Sequence, residues 1–226
     1  MKNTLLQSLD NQLLDGLKFC SLVYEIFDRV RETPAGIEAI RMRRGKCKKL
    51  VEELLPICKY IQAKYGQGRY ISVKWSDGSQ TYDAELSSVG AYVSRGSFPE
   101  NSFLEVTCVV HPNDYLAREH INGAGTVFGL SGLARTHDHT IVSVPHAHLG
   151  DVFISDYADL VLAELAKKSA KPYPGGTTLV TQCWLNRPYV LSEWSKLESV
   201  LRARMPQHPF AELFIYDPVS EYSASI

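Results

Sequence analysis

The chain of 226 residues has no Cys-x-x-Cys pair, no long apolar run and no surplus of either charge. Its five cysteines, at 20, 47, 58, 108 and 183, are odd in number and widely spread. That spacing argues against a disulfide framework and a Cys-rich zinc finger, and fits a reducing compartment. No stretch approaches the ~18–20 apolar residues of a membrane span. The opening MKNTLLQSLDNQLLDG is interrupted by Asp10, Asn11 and Asp15, so it lacks the apolar core of a secretory signal. The expected setting is cytoplasmic, with no membrane partner. Lys and Arg number 24 against 25 Asp and Glu, a net charge of −1. A histone-like grip on nucleic acid through bulk charge is thereby excluded, while a local basic patch is not. What remains, 45% hydrophobic and 22% charged, is the composition of a globular chain long enough to bury a sizeable core.

The hydrophobic period changes along the chain. Leu9, Leu13, Leu17, Val23, Ile26, Phe27 and Val30 recur at helical spacing and predict a helix over 5–31, closed by Thr33-Pro34 and Gly36. A second helix is expected over about 37–65, on Leu50, Leu54, Ile57 and Ile61, with Pro56 kinking or dividing it. From residue 69 the period is two. Ile71, Val73 and Trp75 alternate with Ser72 and Lys74; Asp77-Gly78 signals a hairpin; Tyr82, Ala84 and Leu86 then alternate with Thr81, Asp83 and Glu85. Residues 103–110 predict a third strand, with Leu104, Val106, Cys108 and Val110 on one face and Glu105 and Thr107 on the other. A helix to about 122, a Gly- and His-rich stretch, a helix over 151–168, a strand over 177–184, a helix over 192–204 with Ser192 as N-cap, and a strand over 210–216 complete the pattern. Interleaved helices and strands imply an α/β fold with a mixed central sheet flanked by helices. The simplest division is an N-terminal helical extension, 1–36, and one α/β domain, 37–226.

The strongest chemical signal is a pair of acidic strand faces. Asp83 and Glu85 share one, Glu105 and Thr107 the next. On neighbouring strands Asp83 and Glu105 would converge, and two close carboxylates either take up a proton or hold a divalent cation. Mg²⁺, or Mn²⁺, is the natural guest, because such ions favour one or two carboxylates with water and phosphate. The same alternation also describes the solvated face of a hairpin.

The stretch KKLVEELLPICKYIQAKYGQGRYISVKWSDGSQTYDAEL, followed about twenty residues on by SFLEVT, resembles the PD-(D/E)XK nuclease superfamily, the restriction-endonuclease-like fold. In that family a helix carries a Glu, a β-meander an Asp, and the next strand a (D/E)-x-K element. The resemblance extends over about 46–217, including the tail GTTLVTQCWL and FAELFIYD. It implies Glu52 or Glu53 as the helix carboxylate, Asp83 as the metal-binding Asp, and Glu105 as the acidic member of the last element. It also implies a metal-dependent nuclease acting on nucleic acid, DNA first, with a homodimer by analogy to double-strand cutters. The chain departs from the pattern at Thr107, where the family has lysine. Lys168 is the candidate replacement: it continues the stripe Ile154, Tyr157, Val161, Leu165 and should point inward, with Lys167 as runner-up. A lysine carried by another element has precedent in the superfamily. Without that lysine, the scaffold would bind or assemble and not cut.

Two further features stand out. Arg41, Arg43, Arg44, Lys46, Lys48 and Lys49 form a basic strip just before Glu52, suited to phosphate contact or to plain solvation. His137, His139, His146 and His148 form two His-x-His pairs that could ligate a transition metal, or simply lie at the surface. The Gly-rich NGAGTVFGLSG lacks the G-K-[ST] ending of a phosphate loop, which rejects a nucleotide-binding P-loop. Arg118 and Glu119 are expected on a solvated face.

Overall fold

The chain enters its fold through a strand. In the computed structural model, which describes residues 5–124, 126–145, 150–184 and 191–226, β1 (Leu13–Asp15) pairs antiparallel with β2 (Tyr70–Trp75) at the edge of the sheet. Helix α1 (Gly16–Arg31) begins only after it. The expected helix over 5–31 is therefore corrected at its start. Asp15 caps α1, accepting from the N–H groups of Leu17 at 3.0 Å and Lys18 at 3.3 Å. Leu13 and Leu17, counted in the helical stripe, are 63% and 51% exposed. The residues expected as a helical extension thus supply an edge strand and a helix whose Phe19, Val23 and Ile26 lie in the main core.

The expected second helix is divided in four. Helix α2 (Pro34–Arg41) is capped by the Thr33 hydroxyl, which accepts from Gly36 N–H at 3.0 Å. A left-handed turn follows, with Arg43 at φ +50° and Gly45 at φ +54°. Then come α3 (Lys46–Lys49), a π-helical turn (Leu50–Leu54) and α4 (Leu55–Lys64). Pro56 explains the π turn. In a regular α-helix its ring would press on the carbonyl of Glu52. The turn widens instead, and Leu55 N–H donates to Leu50 O, five residues back.

The remaining elements are β3 (Ala84–Val89), α5 (Ala91–Ser94), β4 (Asn101–Val110), α6 (Asp114–Ala124), β5 (Leu133–Arg135), β6 (Ile141–Ser143), α7 (Gly150–Ser169), β7 (Thr177–Trp184), α8 (Leu191–Arg204), β8 (Glu212–Tyr216) and β9 (Ser223–Ser225). β5 and β6 form a separate antiparallel pair. The other seven strands make one mixed sheet in the order β1-β2-β3-β4-β7-β8-β9. It is antiparallel from β1 to β4, parallel through β4, β7 and β8, and antiparallel again at β9. Asp77-Gly78 does not make a two-residue hairpin: β2 ends at Trp75 and β3 starts at Ala84. Ser192 is not an N-cap, since α8 begins one residue earlier.

Helices cover both faces of the sheet. On one, α1, the π turn and α4 pack through Val23, Leu54, Ile57 and Ile61 onto Ile71, Val73, Leu86, Leu104, Val106 and Val180. On the other, α7 and α8 pack through Ile154, Val161, Leu165, Leu197 and Leu201 onto Val109, Leu179, Cys183, Leu213 and Ile215. β4 therefore presents Leu104 and Val106 to the α1/α4 side, and Glu105, Thr107 and Val109 to the α7/α8 side. Both rows of β4 are covered, so Glu105 and Thr107 are only 6% and 7% exposed.

Candidate active site

The β3–β4 ladder sets the geometry. Ala84 pairs with Leu104, and Asp83 N–H donates to Leu104 O at 2.8 Å. The next rung places Asp83 opposite Glu105, on the α7 side. Cross-strand neighbours of this kind have Cβ atoms about 4.5–5.5 Å apart. Asp83 Oδ2 also accepts from Val106 N–H at 2.7 Å, which fixes its carboxyl over β4.

Lys168 completes the cluster. The α7 stripe that buries Ile154, Val161 and Leu165 carries on to this residue. Its Nζ lies 2.5 Å from Glu105 Oε1 and donates to Val106 O at 3.1 Å. Lys167 turns the other way, 70% exposed, and pairs with Glu164 at 3.3 Å. Thr107 stands two residues from Glu105, beside Thr181 of β7. Tyr173, just after α7, donates its hydroxyl to Glu105 Oε1 at 3.3 Å. No feature of the sequence singled Tyr173 out; it reaches Glu105 only because the loop into β7 folds back over β4.

The electrostatics are those of crowded acids. Burial, then repulsion from Glu105 and Glu53, push the Asp83 carboxyl up to about 7, against the opposing pull of Val106 N–H and Lys168. Burial likewise raises Glu53, with Lys49 pulling the other way. Burial, Glu105 and Asp83 together hold the Tyr173 hydroxyl far above the usual phenol range.

Glu52 and Glu53, interchangeable in the sequence, part company at the π turn. Glu53 feels Asp83 and lies 3.9 Å from Lys49. Glu52 faces away from that cluster, taking Arg43 Nη1 at 2.7 Å and Lys48 at 3.9 Å. The basic strip is also redistributed. Lys46 and Lys49 both bind the Asp77 carboxylate, Lys49 at 2.6 Å. Arg44 pairs with Glu38 at 2.9 Å. The Arg43 side chain is 7% exposed, with its guanidinium 5.2 Å over the Trp184 ring. It is turned inward by the left-handed turn, so it is not part of a surface strip. Arg41, Arg44 and Lys48 remain at the surface.

His137 and His139 are exposed in the β5–β6 turn, His139 at φ +65°; His146 and His148 lie outside the described residues. Among the described residues, no group of three or more His, Cys, Asp and Glu is arranged to hold a metal ion. Asp83 and Glu105, one half-buried and one buried, are a pair and fall short of such a group; a hard cation placed there would complete its shell with water and phosphate oxygen. All five cysteines are free, and among the described residues no helix is long and apolar enough to cross a membrane. No family model, no curated protein and no solved structure matches this chain.

Proposed function

We propose that the chain is a metal-dependent nuclease of the PD-(D/E)XK type, hydrolysing phosphodiester bonds in nucleic acid, DNA first. The observation that carries this reading is the approach of Lys168 to Glu105, opposite Asp83. An acidic pair on adjacent strands, with one inward lysine beside it, is the arrangement that phosphodiester hydrolysis needs. The order of elements supports the reading too: a helical segment whose π turn sets Glu53 near Asp83, a meander (β2–β4), a crossover helix (α7) and a parallel strand (β7). That order fits the restriction-endonuclease-like scheme, in which the lysine would have moved from β4 to α7.

Each side chain has a task in this reading. Asp83 and Glu105 would hold Mg²⁺ or Mn²⁺, which when bound orients a water and offsets charge on the phosphate. Lys168 holds its ammonium at the Glu105 carboxylate, where it can hydrogen-bond a water or a phosphate oxygen. Glu53 adds negative field at Asp83 from the π turn. Tyr173 donates to Glu105 Oε1, the oxygen that Lys168 also meets. The test is cleavage of plasmid and single-stranded DNA with Mg²⁺ or Mn²⁺. Wild type is expected to cut only with metal, and Glu105→Ala to lose about 10²-fold or more, the scale of a removed acid–base or charge-stabilising group. Equal trace activity in both would sink the proposal.

Thr107 favours a second reading, in which the scaffold binds nucleic acid and does not cut it. That reading expects retention on DNA that weakens with salt, and no cleavage under any divalent metal.

A further inference from the structure

A second feature lies on the opposite side of β4. Cys108 and Val110 belong to the even row of the strand, Glu105 to the odd row. Beside that even row opens a cleft of about 500 Å³, walled by Arg43, Lys48 and Glu52 on one side and by Asp114, Tyr115, Arg118 and Glu119 of α6 on the other. This size falls in the roughly 300–1,000 Å³ range of small-molecule sites.

The charges in the cleft are unusual. Arg43 and Arg118 are both largely withdrawn from solvent, at 7% and 17% side-chain exposure. Each has one carboxylate, Glu52 for Arg43 and Asp114 for Arg118. The two guanidinium groups also repel: burial and the charge of Arg43 hold Arg118 below the usual arginine range. An anion set between the two guanidinium groups would meet two planar forks that suit a phosphate. Lys48, 64% exposed and 3.9 Å from Glu52, adds a third cation at the rim. Tyr115, 59% exposed, offers a ring face at the same mouth.

We propose that this cleft binds the phosphate-bearing end of a nucleotide, with Arg43, Arg118 and Lys48 taking the phosphate and Tyr115 stacking on the base. The ligand is a free mononucleotide or the 5′-terminal nucleotide of a strand; both present the same phosphate and base. The site is separate from the carboxylate cluster and stands whether or not that cluster cleaves.

Calorimetric titration of the full chain tests it, using inorganic phosphate, a deoxynucleoside 5′-monophosphate, and a short single strand bearing either a 5′-phosphate or a 5′-hydroxyl. The monophosphate is expected to bind more tightly than phosphate alone. Arg118→Gln should weaken it by about tenfold or more, the loss of one charge-assisted contact. Tyr115→Ala should weaken the monophosphate and leave inorganic phosphate unchanged. Glu105→Gln should keep the binding, because that side chain is on the other face. Preference for the 5′-phosphorylated strand over the free nucleotide assigns the ligand to a strand end, and the reverse assigns a free nucleotide. Should Arg118→Gln fail to fold, Lys48→Gln, on the exposed rim, carries the test with a loss of a few-fold. No binding of monophosphate or 5′-phosphorylated strand by the wild type overturns the proposal. So does unchanged affinity in folded Arg118→Gln or Lys48→Gln, or binding abolished by Glu105→Gln alone.

Discussion

Asp83 is a half-buried acid set opposite another acid, and the cost of that placement can be measured. Its carboxyl is raised from an ordinary value of 3.8 to about 7. Between those values the folded chain holds more protons than the unfolded one, so this group's contribution to stability is present below the lower value and lost as pH rises through the upper. Asp83→Asn keeps an acceptor for Val106 N–H and removes the charge. In metal-free buffer it should match the wild type at acid pH and exceed it by about 1–3 kcal/mol near pH ~8. Thermal melts at the two pH values decide this; a variant less stable at the higher pH contradicts the account. Lys168 is the converse case, because it compensates Glu105. Lys168→Ala leaves the buried Glu105 carboxylate with Tyr173 but without a countercharge, and should cost about 3 kcal/mol or more by urea unfolding. Strand alternation made the Asp83–Glu105 pair legible in the sequence, and the α7 stripe made the inward turn of Lys168 legible. Tyr173 was not legible, because its approach to Glu105 depends on a loop with no period to read.

At the scale of elements, β4, β7 and α7 were the most readable. Their apolar rows run nearly their whole length, and β7 is buried on both faces. The segment 37–65 was the least readable. Its apolar stripe is continuous, but Pro56 and the left-handed turn at Arg43–Gly45 break it into pieces, and no hydrophobic period marks a π turn. The fate of the basic strip was hidden for a different reason. Its chief partner, Asp77, comes from a loop about thirty residues away and looked like a turn signal. The start of α1 depends on a close approach: a Cβ at Gly16 would meet Ile71 O and Ile61 Cγ2 at 2.8 Å each. Gly16→Ala should therefore destabilise the fold by about 1–3 kcal/mol, read as a lower urea midpoint with an unchanged slope. An unchanged midpoint would mean that α1 and β2 are less tightly apposed.

At the scale of the whole molecule, the net charge of −1 conceals an internal arrangement. Asp77, Glu52 and Glu38 pair with five of the strip's six cations, and of the six Arg41, Arg44 and Lys48 are exposed. Any grip on duplex DNA through this segment should be shallow in its salt response, with a log–log slope no steeper than about −3, well short of the value that six free cations would give. Retention on a DNA column against salt measures it. The sheet that carries the acids is seven strands wide and ends in three-residue strands on both edges, so the cluster sits on central strands held by both cores. The account rests on those central strands and on the lysine that α7 brings to them. Its most direct test is the single-turnover rate of Mg²⁺-dependent DNA cleavage by Lys168→Gln, with circular dichroism confirming the fold. The account predicts a loss of about 10²–10⁴-fold against the wild type. A folded Lys168→Gln that cuts at the wild-type rate would contradict it.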